Sequence, residues 1–376
     1  MKQEERFKLI SRFTEEILTS EDLEFLLSRN VPLKHYIGFE ISGPIHLGTG
    51  LVCMQKVKDI CDAGVKVNIL LADWHSWIND KLGGDRKKIK EVALGYFKEG
   101  LKAAYKCVGG NPGDLNFILG SDLYDKNNKY WETVVEASKH ITLSRMKRSI
   151  SILGKQEGEE VDFAKLIYPA MQVADIFIGQ FHLVQAGLDQ RKAHVIARQV
   201  ADKIKISPLI LDKKIISPIA VHHHLLLGLG KPPIWPITPE IDKKELWSSL
   251  KMSKSKPESA VFIHDSPEEI KQKITKAFCP EKELEFNPMI DWTEYLVFNR
   301  EKKITIKREP KYGGNLTIKS INELKQLFRN GELHPEDLKN FVAEYLIELL
   351  KPAREHFSKG RKKKMLENLK ELMKKD

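Results

Sequence analysis

His35-Tyr-Ile-Gly-Phe-Glu-Ile-Ser-Gly-Pro-Ile-His-Leu-Gly-Thr49 is the stretch on which the fold turns. Residues 35–42 read as a strand, Gly43-Pro44 as a turn, and residues 46–62 as a helix that stops at Ala63-Gly64. Residues 65–72 then form a nearly continuous apolar run, the pattern of a parallel strand buried on both faces. A charged helix is expected over about 85–107 and a short strand over 115–119. Strands alternating with helices require right-handed crossovers, which implies an α/β fold with a doubly wound, Rossmann-type parallel sheet. Ligands in such sheets bind beyond the carboxyl ends of the strands. The segments after Glu40, Ala72 and Leu119 are therefore where chemistry is expected.

Upstream, residues 1–34 read as an N-terminal helical segment, because 14–18 and 21–27 carry apolar residues at spacings of three and four. Downstream, residues 130–155 are helical and basic, with Arg145, Lys147 and Arg148. They fall in an insertion of about 120–185 between the two halves of the sheet domain, 35–235. Further helices are expected over 168–178, opening at Pro169, and over 190–204. A late strand, 215–227, contains His222, His223 and His224. Pro232, Pro233, Pro236 and Pro239 interrupt regular structure, so 236–265 reads as a linker and loop. Residues 266–376 read as a separate, mostly helical C-terminal domain with a short β-like piece at 303–307. Its tail holds nine basic and four acidic residues from Arg354 onward, suited either to phosphate contacts or to a solvated helix.

The 376 residues, 41% hydrophobic and 30% charged, suit two or three globular domains. No apolar run approaches the roughly 20 residues that span a bilayer. The start, MKQEERFKLISRF, lacks the apolar stretch of a secretory signal. No membrane association and a cytoplasmic location follow as expectations. The cysteines (Cys53, Cys61, Cys107, Cys279) have neither CxxC nor zinc spacing, which suits a reduced compartment and no bound protein metal. The net charge of +10 fits a polyanionic partner, but solvated faces account for it equally well.

Two short segments carry chemistry. In His46-Leu-Gly-Thr49, Gly48 lets a nucleotide approach the backbone, the helix start favours phosphate, and His46 can donate to a phosphate oxygen. In Lys251-Met-Ser-Lys-Ser255, two lysines with Ser253 and Ser255 can wrap the β- and γ-phosphates of ATP and bind most strongly as pyrophosphate charge develops. Either segment alone has a bland reading, a capping histidine or a solvated basic loop. A HIGH-like turn followed some 200 residues later by KMSKS across a doubly wound sheet resembles the class I aminoacyl-tRNA synthetases. The last histidine of the first motif is Thr49 here. Its hydroxyl can also donate to a phosphate oxygen.

Tyr168-Pro-Ala-Met-Gln-Val-Ala-Asp175 places Tyr168, Gln172 and Asp175 on one polar stripe of an apolar helix, which suits a ligand pocket. With residues 36–40 and 188–192, this stretch is similar to the tyrosine pocket of archaeal and eukaryotic tyrosyl-tRNA synthetases. The resemblance implies that Tyr36 and Asp175 bind the substrate hydroxyl. It implies that Tyr168, Gln172 and Gln190 hold the α-ammonium, with Glu40 beside it. It further implies catalysis by His46, Thr49, Lys251 and Lys254 on ATP with Mg2+, a homodimer formed through the insertion, and tRNA(Tyr) rather than DNA as the nucleic acid. In the anticodon-binding C-terminal domain, Tyr312 and Asp337 would read the first anticodon base. Three consecutive histidines on a strand cannot all face one ion, so one of His222–His224 is expected to line the nucleotide site and the others to pack. Rival readings are a tryptophanyl-tRNA synthetase, an RNA-binding relative without catalysis, and a small-cofactor nucleotidyltransferase.

Overall fold

The computed structural model describes residues 1–374 apart from 30, 155–158, 239 and 255. The ends of two expectations, Lys155 and Pro239, and the motif residue Ser255 thus lie outside the described residues. Strands β1 (Thr14–Leu18), β2 (His35–Phe39), β3 (Asn68–Leu71), β4 (Asn116–Leu119) and β5 (Leu183–Gly187) come first in the chain. A small hairpin follows, β6 (Ile210–Leu211) with β7 (Lys214–Ile215), and then β8 (Ile219–His223). The main sheet runs β1-β8-β5-β2-β3-β4. All its pairings are parallel except β1 with β8. β3, β5 and β8 are buried along their whole length, which explains why apolar and polar residues do not alternate along them. The chain winds outward from β2 through β3 to β4, then returns to the other side of β2 as β5. The crevice between β2 and β5 is therefore the switch point of the sheet.

Residues 14–18 correct the helical reading of the N-terminus. They form the antiparallel edge β1, between helices Gln3–Ser11 and Ser20–Ser28. A bulge between Thr14 and Glu16 lets Glu16 reach His222 in β8 and Glu15 reach His224, the residue just after it. Four of these five residues have partners on β8 and gain more from the ladder than from an isolated turn of helix.

Pro169 does not open its helix. That helix is Phe163–Gly179, capped by Asp162, whose side chain accepts from the Lys165 amide, with Pro169 in its interior. The cap and the apolar packing of Tyr168, Ala170, Met171 and Val173 outweigh the amide hydrogen bond that proline cannot make. The late strand is shorter than expected, Ile219–His223, because Pro218 precedes it and the chain then leaves the sheet to pair with the lysine loop. The basic stretch forms helices Asn128–Lys139 and Leu143–Ser149 and a short turn, Ile150–Leu153.

Helices cover both faces of the sheet. Phe163–Gly179 and Arg191–Val200 bury Val173, Phe177, Ile196 and Val200 against Tyr36, Leu70, Val184 and Ala220. On the opposite face one apolar cluster extends from Ile10 through Ile45, Val57, Leu101 and Ile263 to Trp292, Leu346 and Leu369. It crosses the expected boundary near 266. In the C-terminal part, helices Pro267–Thr275, Ile321–Asn330, Pro335–Leu349, Lys351–His356 and Gly360–Leu372 accompany a two-stranded ribbon, β9 (Ile304–Ile306) and β10 (Leu316–Ile318). Phe357 stacks on Tyr96 and His356 contacts Glu99 at 2.8 Å, so the last helices return to the sheet domain. No helix among the described residues is long and apolar enough to cross a membrane.

Candidate active site

The carboxyl ends of β2 and β5 open into a cavity of about 710 Å³. Its wall contains Tyr36, Glu40, His46, Gly48, Thr49, Tyr168, Gln172, Gln190, Lys251, Ser253 and Lys254. The first and last of these are 218 positions apart in sequence, and it is the crossovers that bring them to one crevice. Tyr312 and Asp337 lie elsewhere in the chain.

At the inner end, Tyr36 donates to Asp175 Oδ2 at 3.4 Å, and Tyr130 donates to Oδ1 at 3.0 Å. Asp175 is fully buried behind the wall. Burial pushes its pKa up to about 7 against the hydroxyls that donate to it. His75 stands 3.7 Å from the same carboxylate and packs its ring edge-on against Tyr168, 4.5 Å between centroids. Burial lowers the His75 pKa to about 3, so the ring is neutral. This end of the cavity is thus aromatic with one hydrogen-bonding pole.

Further out, Tyr168 and Asn79 both donate to Glu40 Oε1 at 2.9 Å, and Lys81 lies 3.5 Å from Oε2. Gln190 donates to the Ile152 carbonyl at 2.9 Å. The carbonyl oxygen of Gln172 is buried without a hydrogen-bond partner among the described residues. A buried acceptor left unpaired costs about 1–3 kcal/mol, so it suits a donor brought by a ligand.

At the outer end, His46 leads into a π-turn, Gly48–Val52, ahead of helix Cys53–Asp62. His46 Nδ1 accepts from the Thr49 amide at 3.4 Å, and its Nε2 is 3.3 Å from the Thr49 hydroxyl. A Cβ on Gly48 would come within 3.1 Å of the His46 ring, so glycine here is needed by the histidine as much as by any ligand. Burial, then Lys254 and Lys251, lower the His46 pKa to about 3. Opposite, Lys251 forms an ion pair with Asp189, and Lys254 donates to Ser42 at 2.8 Å above the Phe97 ring. Burial lowers the Lys254 pKa to about 8 although Glu40 opposes the shift. Two cations and the neutral N–H of an imidazole converge on one space, a receptor for a polyanion.

The histidine triplet separates as strand geometry requires. His222 turns to Glu16 and His194, 2.9 and 3.0 Å away. His223 turns to the other side, where Gln185 donates to its Nδ1 at 3.3 Å and its Nε2 faces Cys53 Sγ at 3.2 Å. Two of the three, His223 and His224, line the cavity where one was expected, because the strand and its alternation end at His223. In the C-terminal part Tyr312 is 62% exposed on a turn, Pro310–Tyr312, and Asp337 lies in the first turn of Pro335–Leu349. Arg308 donates to the carbonyls of Gly314 and Glu332, 3.0 and 2.8 Å, and so ties the turn to the approach of that helix.

Sequence reasoning missed His75, Asn79, Lys81, Tyr130 and Asp189. The first three follow Ala72, where the sheet topology pointed without selecting a residue. Tyr130 carried no local signal, being one aromatic among several in the insertion.

A model for class I tRNA synthetases (W and Y) matches residues 28–351. A tyrosine–tRNA ligase of Thermococcus sibiricus is 58% identical over 358 residues, 95% of each chain. A tyrosyl-tRNA synthetase of Pyrococcus horikoshii, solved with L-tyrosine, superposes with a TM-score of 0.95 at 54% identity, covering 99% of this chain and 100% of that one. A tryptophanyl-tRNA synthetase of Aeropyrum pernix shares the fold, with a TM-score of 0.64 at 19% identity over 94% of this chain and 84% of that one.

The folded Asp175 keeps its proton to about pH 7, whereas an unfolded aspartate releases it near 3.8. Stability therefore falls as pH rises between those values, and the cost is complete above pH 7. Asp175→Asn is expected to raise stability at pH 8 by roughly 1–3 kcal/mol, the scale for a buried polar group. The gain should vanish at pH 4. Thermal denaturation of both proteins at the two pH values checks this, and a pH-independent difference would contradict it.

Proposed function

The chain belongs to the class I tRNA synthetases (W and Y), and from this premise we propose how its cavity activates tyrosine with ATP for transfer to tRNA(Tyr). The protein is a tyrosine–tRNA ligase. One observation carries the choice of amino acid: a carboxylate, Asp175, and a phenol, Tyr36, meet at the closed aromatic end of the cavity. A substrate hydroxyl joins that pair, while phenylalanine would leave it unmatched. Tyrosine-specific synthetases are the standard illustration of this kind of selection. An indole needs only one acceptor, so the paired groups favour tyrosine over tryptophan as well.

The α-ammonium of tyrosine is held by Tyr168, Gln172 and Gln190, with Glu40 supplying negative charge. Gln172 brings the unpaired buried acceptor described above. ATP arrives as its magnesium complex, a substrate rather than a resident group. His46 and Thr49 donate to its phosphates, Gly48 admits it to the backbone, and Lys251, Ser253, Lys254 and Ser255 close over the triphosphate. The ionised tyrosine carboxylate attacks the α-phosphorus, the bond to the β-phosphate oxygen breaks, and pyrophosphate leaves with its charge on the lysines. The terminal ribose hydroxyl of tRNA(Tyr) then attacks the adenylate carbonyl and releases AMP. No general base is required for the first step, so catalysis is positioning plus charge stabilisation.

In the C-terminal region, Tyr312 stacks on the first anticodon base, a guanine, and Asp337 accepts from its edge. The insertion serves as the interface of a homodimer. Val135, Leu143 and Phe163 are 61%, 62% and 75% exposed there, too much apolar surface on neighbouring helices to leave in water without a partner. The enzyme works in the cytoplasm, where its substrates meet.

Amino-acid-dependent ATP–pyrophosphate exchange with tyrosine, tryptophan and phenylalanine side by side tests the reading. Exchange with tyrosine alone is expected. Exchange with tryptophan would overturn the role of Asp175, and silence with all three would leave an RNA-binding protein. Lys254→Ala should slow tyrosine-dependent exchange by about 100-fold or more while changing the tyrosine dissociation constant by less than about threefold. Equal losses in both would remove Lys254 from catalysis. For the dimer, Val135→Asp with Leu143→Asp should halve the mass measured by analytical ultracentrifugation, and a monomeric parent would refute the interface.

A further inference from the structure

His224 lines the cavity, yet neither of its ring nitrogens is free for a ligand. Nδ1 meets Glu15 Oε1 at 2.6 Å and Nε2 meets Asp291 Oδ1 at 2.6 Å. With a carboxylate on each side, both nitrogens must carry protons, so the ring is an imidazolium. Burial opposes that charge, but Asp291 and Glu15 outweigh it and hold the His224 pKa up at about 9. The ring stacks flat on Tyr295, 3.6 Å between centroids and 4° between planes. Tyr295 in turn donates to Glu15 at 2.8 Å. Three distant parts of the chain, edge strand β1, the end of β8 and helix Pro288–Trp292, thus close on one cation.

The second oxygen of Asp291 accepts from the Leu227 amide at 2.9 Å, and Trp292 Nε1 donates to the Leu227 carbonyl at 2.8 Å. The adjoining residues hold the lysine loop. Met252 N donates to the Leu226 carbonyl at 2.7 Å, Gly228 N to the Leu250 carbonyl at 2.8 Å, and Leu227 bridges to Lys251. Residues 225–228 are therefore a short rail, fixed by Asp291 and Trp292 on one edge and carrying the loop on the other.

We propose that His224 is a positioning residue for adenylate formation: clamped between Glu15 and Asp291, it fixes the rail to which the lysine loop is hydrogen-bonded, and so sets where Lys251 and Lys254 stand over the triphosphate. This rests on the ATP reading of the cavity. Its consequence is a division of labour, with the imidazolium touching no substrate and acting only through Asp291 and residues 225–228. Removing the cation leaves two carboxylates without their shared counter-charge, and Asp291 then loses the geometry that holds Leu227.

The test compares the parent with His224→Phe, which keeps a ring on Tyr295, and with Asp291→Asn. Tyrosine binding is measured by equilibrium dialysis, and kcat and KM for ATP by tyrosine-dependent pyrophosphate exchange. Both variants should bind tyrosine within about twofold of the parent while exchange kcat falls about tenfold or more. A merely structural role would lower tyrosine binding and exchange together, and that result overturns the proposal. Unchanged exchange in the folded variants overturns it too. Should His224→Phe not fold, Glu15→Gln keeps the shape and an acceptor at a partly exposed position. It should lower exchange kcat by about threefold with tyrosine binding intact, and no change there counts against the clamp. A parent without tyrosine-dependent exchange would remove the reading of the cavity and this inference with it. A parent that exchanges beside unaffected variants removes the clamp alone.

Discussion

A parallel-paired sheet whose strands β3, β5 and β8 are buried along their whole length leaves polar chemistry one place to go, the open carboxyl ends at the crevice between β2 and β5. Everything at the site follows from that constraint. β2 delivers Glu40 and the turn that carries His46, β5 delivers Asp189 and Gln190, and the crossover between them supplies the helix of Tyr168, Gln172 and Asp175. The apolar cores on the two faces of the sheet then hold these elements in place.

Within the crevice, charge is kept in pairs until a ligand arrives. Lys251 rests on Asp189, Lys254 on Ser42 within the field of Glu40, and Glu40 on Tyr168, Asn79 and Lys81. Each pairing lowers the cost of holding a charged group partly out of water, and each can be exchanged for a phosphate or an ammonium of similar geometry. Asp175 is the exception. It is buried with hydroxyl donors in place of a cation, so its own ionisation is disfavoured. On the proposed reading, in which this end of the cavity takes a neutral hydroxyl, a carboxyl whose charge is not already neutralised by a lysine is the better partner. Such an arrangement lowers the protein's stability at neutral pH in return for a pole at the end of an aromatic pocket.

The same logic of paired charge reaches the periphery. Glu16 with Arg191 and His222, Glu15 with His224 and Tyr295, and Glu99 with His356 and Lys362 join the N-terminal edge strand and the last helices to the sheet domain. These contacts lie between segments more than 170 residues apart, so they limit how far the sheet domain and the C-terminal helices can separate. The continuous apolar cluster from Ile10 to Leu369 works in the same direction.

The sequence by itself determined the parallel sheet, through the apolar run of β3 and the alternation of strands with helices around it, and part of the cavity wall, through two motifs and one polar stripe at helical spacing; it did not mark β5, whose five residues straddle the end of the expected insertion. Those signals are local: a strand buried on both faces and a helix with one polar face are each written within a few residues. It did not determine that residues 14–18 would be a strand, because five residues with apolar positions at helical spacing fit either period and only β8 as a neighbour settles the choice. Nor did it mark Pro169 as an interior residue, since the helix start was set by a cap at Asp162 seven positions earlier. Tyr130, Asp189, Glu15 and Asp291 acquire their roles from partners 45 to 280 residues away. A pairing at that distance leaves no period in the chain, because the sheet's crossovers, not the spacing of residues, decide which side chains meet.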